Sequence, residues 1–331
     1  MTKAGRRVRW RVSAALFLCA VVGGMGTTAN ADQISEKKIK VLTTVAPITN
    51  IVRNVAGSNV DLHGLIPEGT DSHTFEPVPG DVRFIAQTDL FIVNGLHLET
   101  PTMKLVAANK KKSADVVELA NRAISQKEWI YDFSFPKDKG DPNPHLWLNV
   151  ANGMKYAEIA RDALVRKDPE HRAAYEANAA AYLAKLKQLD EAIIAVFKTI
   201  PEKNRKLVTY HDSWAYFCPR YGCKVIGAVQ PSDFAQPSPQ DVVALINQLR
   251  AERVPAIFGS EVFPSKVLDQ IGREAGVTYV STLRDDDLPG EPDDPRHTYV
   301  GMMKENVETM AKSLGGDPSA LNAIDPTNVA K

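Results

Sequence analysis

The side chains best suited to chemistry in this chain are its histidines, seven in 331 residues: His63, His73, His97, His145, His171, His211 and His297. Three share a setting. His73 follows Glu68-Gly69-Thr70-Asp71-Ser72, in a loop between a strand pattern and a helix pattern. His145 stands in Asn143-Pro144-His145-Leu146-Trp147, and His211 in Thr209-Tyr210-His211-Asp212-Ser213-Trp214, where a strand pattern ends. A fourth such position, after the last strand pattern, carries three acids in a row: Asp285, Asp286 and Asp287. Three imidazoles and one carboxylate make a closed four-coordinate shell that suits zinc. The four positions lie far apart in the chain, so there is no local metal motif and any such site must be assembled by the fold. Taken singly, a histidine at a strand end is more often a hydrogen-bonded structural group than a ligand.

The elements that must position these residues alternate in type. Ile39–Pro47, Val60–Ile66, Leu90–Asn94 and Asp115–Leu119 read as strands, with helices at Asn50–Ala56, Pro79–Ala86, Pro101–Ala108 and Val150–Val165. The second half repeats the habit, with strands at Lys206–Tyr210, Lys224–Val229, Val254–Gly259 and Val277–Leu283 and helices at Ser213–Tyr221, Pro239–Glu252, Pro264–Ala275 and Tyr299–Leu314. Apolar strands alternating with helices predict parallel sheets covered on both faces. In open sheets of that kind, ligands sit beyond the carboxyl ends of the strands, where His73, His211 and the aspartates fall. Between the halves, Asp168 reads as an N-cap, Pro169 as the first helical residue and Glu170 as a first-turn acid. The apolar pattern then runs from Tyr175 to Phe197 and stops before Pro201. A helix of about 30 residues is about 45 Å long, which suits a rigid connector between two lobes. The expected organisation is a leader at 1–31, an N-terminal α/β lobe at 32–167, a connecting helix at 168–200 and a C-terminal α/β lobe at 201–331.

Composition is that of a globular protein, 44% hydrophobic and 24% charged. The formal net charge of zero hides an asymmetry: Lys3, Arg6, Arg7, Arg9 and Arg11 precede any acid, and without them the chain is mildly acidic. No basic patch points to nucleic acid. The basic stretch leads into an apolar run from Val12 to Val22 and then Thr28-Ala29-Asn30-Ala31, the pattern of a signal peptide cut after Ala31. The run is short for the ~30 Å core of a bilayer. A lipoprotein signal at Cys19 is disfavoured by the bulky Leu18 before it. The mature chain is therefore expected outside the cytoplasm, with Cys218 and Cys223 as its only cysteines. In an oxidising compartment, two cysteines this close are read as a structural disulfide rather than a metal pair.

The sequence resembles the metal-specific solute-binding proteins of ABC importers, which take zinc, manganese or iron. The resemblance runs from about Lys40 to Leu314. It is carried by Val45-Ala46-Pro47-Ile48, by Pro67-Glu68-Gly69-Thr70-Asp71-Ser72-His73-Thr74-Phe75-Glu76-Pro77, by Val93-Asn94-Gly95-Leu96-His97-Leu98-Glu99, by Pro144-His145-Leu146-Trp147-Leu148, by His211-Asp212-Ser213-Trp214-Ala215-Tyr216-Phe217, and by Thr298-Tyr299-Val300-Gly301-Met302-Met303. It implies two lobes of mostly parallel four-stranded sheet bridged by one long helix. It also implies His73, His145 and His211 as metal ligands, with an aspartate after the last strand as the fourth. Counting from that strand selects Asp286, with Asp285 next. The implied partner is an ABC permease, a metallochaperone is a further candidate, and membrane association runs only through the permease. A monomer is expected. Two departures stand out: no histidine-rich loop precedes the second ligand, where Lys137-Asp138-Lys139-Gly140-Asp141 stands, and Asn149-Val150 replaces the usual aspartate-proline. Manganese receptors tend to place a carboxylate at the third position, and His211 there favours zinc over manganese.

The other candidates have plainer readings. His63 is expected to face solvent from a strand, His97 to lie on the surface, His171 to be solvated, and His297 to belong to a mobile acidic loop. Asp212 is read as a helix cap. Trp147, Trp214 and Phe75 are expected to wall the ion from water, and Glu261 to face the cleft. Two other classes compete with a receptor. A zinc hydrolase also uses three histidines and an acid, but catalytic zinc needs an open water position and a base, and no His-Glu-x-x-His helix is present. A surface adhesin or metal buffer on the same fold is the third.

Overall fold

Among the described residues, eight short, mostly apolar strands form two separate sheets. The computed structural model describes residues 37–232, 236–262 and 266–330. The leader expected at 1–31 lies outside them. In the first lobe the order along the chain is β1 (Lys40–Thr43), α1 (Ala46–Ala56), β2 (Asp61–Gly64), α2 (Pro79–Gln87), β3 (Leu90–Val93), α3 (Thr100–Asn109), β4 (Asp115–Glu118), the short α4 (Leu119–Ala123) and α5 (Val150–Lys167). A long helix, α6 (Arg172–Thr199), leads to the second lobe. There follow β5 (Lys206–Thr209), α7 (Phe217–Tyr221), β6 (Lys224–Ala228), α8 (Pro239–Glu252), β7 (Ala256–Ser260), α9 (Lys266–Ala275), β8 (Thr278–Leu283) and α10 (Tyr299–Leu314).

Both sheets are wholly parallel, in the orders β2-β1-β3-β4 and β6-β5-β7-β8. The central strands are covered on both faces. Val41 and Leu42 of β1 and Leu90, Phe91, Ile92 and Val93 of β3 are all fully buried, as the apolar runs require. One continuous apolar core joins the lobes: it holds Val41 and Ile92 from the first sheet, Leu207 and Phe258 from the second, and the inner faces of α5, α6 and α10.

Local chemistry sets three of the helix starts. Asn149 caps α5 by accepting from the Ala151 amide, Thr298 caps α10 by accepting from the Gly301 amide, and Ser238 and Asp241 form a capping box on α8. The connector differs in detail from its expected start. Pro169–His171 form a 3-10 turn and the α-helix begins at Arg172. Asp168 does not cap it, because its carboxylate is taken by His171 Nδ1 at 2.7 Å and Tyr175 Oη at 2.5 Å. His171 is thereby half-buried and paired. The 28 residues of α6 span about 42 Å, burying Tyr175, Tyr182, Leu186, Leu189, Ile193 and Phe197 against α1, α5 and α10. The C-terminal segment returns to the first lobe, where Asn328 Oδ1 accepts from the Asn50 and Asn54 side-chain amides at 3.0 and 2.8 Å.

The helix predicted over Ser213–Tyr221 is shorter, starting only at Phe217. Asp212 is not its cap: Oδ2 accepts from the Ser134 amide at 2.8 Å, tying the segment to a loop that precedes α5. Cys218 and Cys223 are joined by a disulfide that spans the end of this helix, where Gly222 takes the left-handed conformation at φ 77°.

Candidate metal centre

The loop after β2 carries His73, whose position is set by Asp71: the Asp71 carboxylate accepts from the His73 amide at 2.9 Å. His145 lies just before a 3-10 turn, Leu146–Leu148, and is completely buried. His211 follows β5 and is 2% exposed. The fold brings the three rings together. His145 Nε2 lies 3.3 Å from His73 Nε2 and 2.9 Å from His211 Nε2, and the donor atoms of all three fall within 4.8 Å of one another. Donors on a tetrahedral zinc ion at ~2.0–2.1 Å stand about 3.3 Å apart, so the spacing is that of one coordination shell.

The network behind the rings decides which nitrogens carry protons. The Asn143 amide nitrogen donates to the Asp212 carbonyl at 2.6 Å, which fixes its oxygen toward His145. That oxygen accepts at 2.8 Å from His145 Nδ1. Nδ1 is therefore the protonated nitrogen and Nε2 offers a lone pair. His211 repeats the arrangement with Gln230 Oε1 at 2.6 Å. Two lone pairs then face each other at 2.9 Å, an arrangement that a cation between them relieves. Burial keeps the rings neutral: it holds His73 and His145 well below the ordinary imidazole value, helped by the charge each would feel from its neighbours. His211 is lowered too, chiefly by burial, with Gln230, Asp71, Glu261 and Asp132 pulling the other way.

The aspartate loop supplies the opposite charge. Asp285 Oδ2 lies 3.8 Å from His211 Nε2, and its Oδ1 accepts from the Ser260 hydroxyl at 3.0 Å. Asp285 Oδ2 and Asp286 Oδ1 are both buried without a hydrogen-bond partner. Asp286, selected from the sequence, is not one of the donors within 4.8 Å of each other, and the contact to His211 comes from Asp285. Crowding of buried acids raises every carboxyl here. Burial first, then the charge of neighbouring acids, lifts Asp286 well above the carboxylate range, Asp287 to about 7 and Glu261 to about 8. Asp285 is also raised, mainly by burial, although hydrogen bonding, including that from the Ser260 hydroxyl, opposes it. Neutral imidazoles beside carboxyls that resist ionisation form a pocket that a divalent ion would satisfy.

The two lobes are tied together beside this cluster. The Gly69 amide donates to both Asp287 oxygens at 2.8 and 3.0 Å, and the Leu288 amide donates to Glu68 Oε1 at 2.6 Å. Trp147 Nε1 donates to the Asp285 carbonyl at 2.8 Å. Trp147 also packs on His145, with ring centres 5.1 Å apart. Phe135 adds to this apolar wall, 5.6 Å from His73 and 5.7 Å from His145. Trp214 packs instead on Phe217, and Phe75 sits partly buried against the core. A cavity of about 310 Å³ reaches His73, lined also by His97, Ser134, Phe135, Lys139 and Asp141.

The remaining histidines stand apart. His63 does not point freely to solvent but stacks on Phe84 with ring centres 4.2 Å apart. His97 is exposed, 3.7 Å from Asp141. His297 is not on an open loop: it is only 15% exposed and lies 3.6 Å from Glu68. Sequence reasoning missed Asn143, Gln230 and Phe135. Asn143 had a signal, since an Asn two residues before a ligand can bond that residue's backbone, as it does here at 3.1 Å. Gln230 and Phe135 had none, because they meet the site only through folding.

Comparison with known proteins gives a consistent result. The family described as the periplasmic component A of the zinc-uptake complex, ZnuA, matches residues 41–313. The metal ABC transporter substrate-binding lipoprotein FimA of Streptococcus parasanguinis is 30% identical, covering 91% of this chain and 97% of its own length. The manganese ABC transporter substrate-binding lipoprotein PsaA of Streptococcus pneumoniae is 30% identical with the same coverage. Among solved structures, the periplasmic zinc-binding protein TroA of Treponema pallidum superposes with a TM-score of 0.76 at 27% identity, covering 84% of this chain and 99% of its own. A manganese-bound periplasmic metal-binding protein of Candidatus Liberibacter asiaticus gives 0.74 at 27% identity, covering 84% of this chain and all of its own.

Proposed function

The chain belongs to the ZnuA family of periplasmic metal-binding components of ABC importers, and on that premise we propose that it captures zinc between its two lobes through His73, His145 and His211 and hands it to a permease. It is a substrate-binding protein and not an enzyme. The observation that carries the zinc assignment is the convergence of three Nε2 atoms, two of them with their Nδ1 protons already committed to Asn143 and Gln230. Three imidazole nitrogens with one carboxylate suit zinc better than a hard, oxygen-preferring ion. The fourth donor comes from the aspartate loop. Asp286 Oδ1 and Asp285 Oδ2 are its two partnerless oxygens, and Asp285 stands beside His211. The ion is cargo, so all four positions are filled by protein and no water is left to activate.

Manganese is the second reading, supported by the three buried acids Asp285, Asp286 and Asp287 and the adjoining Glu261 and by relatives named for manganese. Export by a leader ending at Ala31 and action as a monomer belong to the same proposal.

The test is titration of the stripped mature chain, from Asp32 onward, with zinc and manganese against a competing chelator. One tight zinc equivalent and much weaker manganese supports the proposal. Tight manganese without zinc preference replaces zinc as the cargo. In the His211→Ala variant, zinc affinity should fall by orders of magnitude with the far-UV circular dichroism unchanged, and an unchanged affinity removes His211 from the shell.

A further inference from the structure

The three aspartates of the site face an unusual partner. The backbone amides of Asp285, Asp286 and Asp287 all donate to one oxygen, Oε1 of Glu261, at 3.0, 3.1 and 3.0 Å. Successive amides that converge in this way form a concave anion site. Glu261 fills it from the end of β7, where its own amide donates to the Leu283 carbonyl at 3.1 Å. Its other oxygen lies 3.2 Å from the Ser260 hydroxyl, whose one proton is shared with Asp285 Oδ1 at 3.0 Å.

Aspartate side chains readily bond the amides of their own turn. In this loop they do not. The Asp287 carboxylate reaches across to Gly69, Asp285 Oδ1 takes the Ser260 hydroxyl, and Asp285 Oδ2 and Asp286 Oδ1 stay without a partner. We infer that Glu261 is a positioning residue for metal binding: by occupying the three loop amides, it denies them to the aspartates and leaves those carboxylates aimed at the ion and at the opposite lobe. This rests on the metal-site reading above. Glu261 touches neither the cargo nor the histidines in this role. Without it the three amides are orphaned in a buried loop, and the nearest anions able to satisfy them are the aspartates themselves. The carboxylate donor is then withdrawn from the shell while the three imidazoles stay in place.

The experiment compares the full mature chain with Glu261→Ala and Glu261→Gln, each alone and combined with Asp285→Asn and with Asp286→Asn. Affinity is read by chelator competition and donor set by the visible spectrum of the cobalt-substituted protein. Glu261→Ala should lose affinity about tenfold to hundredfold, the range for groups that orient a ligand, and should shift the cobalt bands as a carboxylate gives way to water. Glu261→Gln keeps an acceptor oxygen and should restore both. The loss should also be sub-additive with the substitution of whichever aspartate is the ligand, since that donor is already gone. Glu261→Ala with a lower melting temperature but parental affinity and spectrum overturns the inference, as does full additivity with both aspartates. Failure of the parent chain to bind zinc or manganese overturns the metal-site reading instead, so the two failures are distinct.

Discussion

Replacing Asn143 with leucine tests whether the proton positions behind the site matter. Asn143 is fully buried and bonds on two sides at once: its oxygen accepts from His145 Nδ1 at 2.8 Å and from the His145 amide at 3.1 Å, and its nitrogen donates to the Asp212 carbonyl at 2.6 Å and to the Asp132 carboxylate at 3.3 Å. Leucine keeps the volume and removes all of these bonds. The His145 proton is then free to move to Nε2, where an arriving ion must displace it. Loss of such an orienting partner costs tenfold to hundredfold in metal affinity, or about 1.4–2.7 kcal/mol. Folding suffers separately. Each buried group left without a partner costs about 1–3 kcal/mol, against a total stability of about 5–15 kcal/mol. The assay therefore pairs chelator-competition affinity with the melting temperature of the metal-free protein. Asn143→Asp is the companion variant, because it restores an acceptor for Nδ1 but no donor for the Asp212 carbonyl. It should regain affinity without regaining stability. A folded Asn143→Leu protein with parental zinc affinity refutes the reasoning, and so does recovery of stability and affinity together in Asn143→Asp.

Zinc affinity should rise with pH between 6 and 8, because Asp287, raised to about 7, holds a proton beside the site that an arriving cation disfavours, at up to tenfold per pH unit for each proton released; a flat response over that window, by competition titration, contradicts a titrating acid beside the ion. Metal-free stability should move the opposite way: acids raised to about 7 at Asp287 and about 8 at Glu261 contribute below their unfolded values and lose that contribution as pH rises through the folded ones. A metal-free melting temperature lower at pH 8 than at 6.5, and restored by zinc, is the expected scan. Of Asp285→Asn and Asp286→Asn, the variant of the true ligand should lose zinc affinity by the larger factor and change the cobalt spectrum, which assigns the fourth donor. Replacing Cys218 and Cys223 with serine removes a five-residue closure and should cost about 2 kcal/mol of stability from loop entropy, with metal affinity unchanged, since the disulfide lies outside the shell.

Much of this was legible in the chain. The alternation of short apolar runs with helical patterns predicted all eight strands and the two-lobed parallel architecture, because a strand buried on both faces must be apolar throughout, as Leu90–Val93 are. The 3.6-residue apolar period from Tyr175 to Phe197 predicted the connecting helix. His73, His145 and His211 were identifiable from their strand-end or loop settings and the motifs around them. Capping was less legible. Asp168 and Asp212 both looked like helix caps, since an aspartate before a helical run usually is one. Each was diverted by a partner that sequence cannot reveal, Asp168 by His171 and Tyr175, Asp212 by the Ser134 amide.

The donor types were thus determined by the sequence, as was their placement at the ends of elements, because residue type and local periodicity are local properties. Their geometry was decided only by the tertiary structure. That His145 and His211 present Nε2 rather than Nδ1 depends on Asn143 and on Gln230, which lies on a different strand-end loop from His211. That the amides of the aspartate loop turn inward together depends on Glu261, which accepts from all three and lies more than twenty residues earlier in the chain. Hydrogen bonds between distant segments have no periodicity to announce them. They exist only where the fold brings those segments together, and that is why the chain shows which residues can bind an ion and the fold alone shows how they are held.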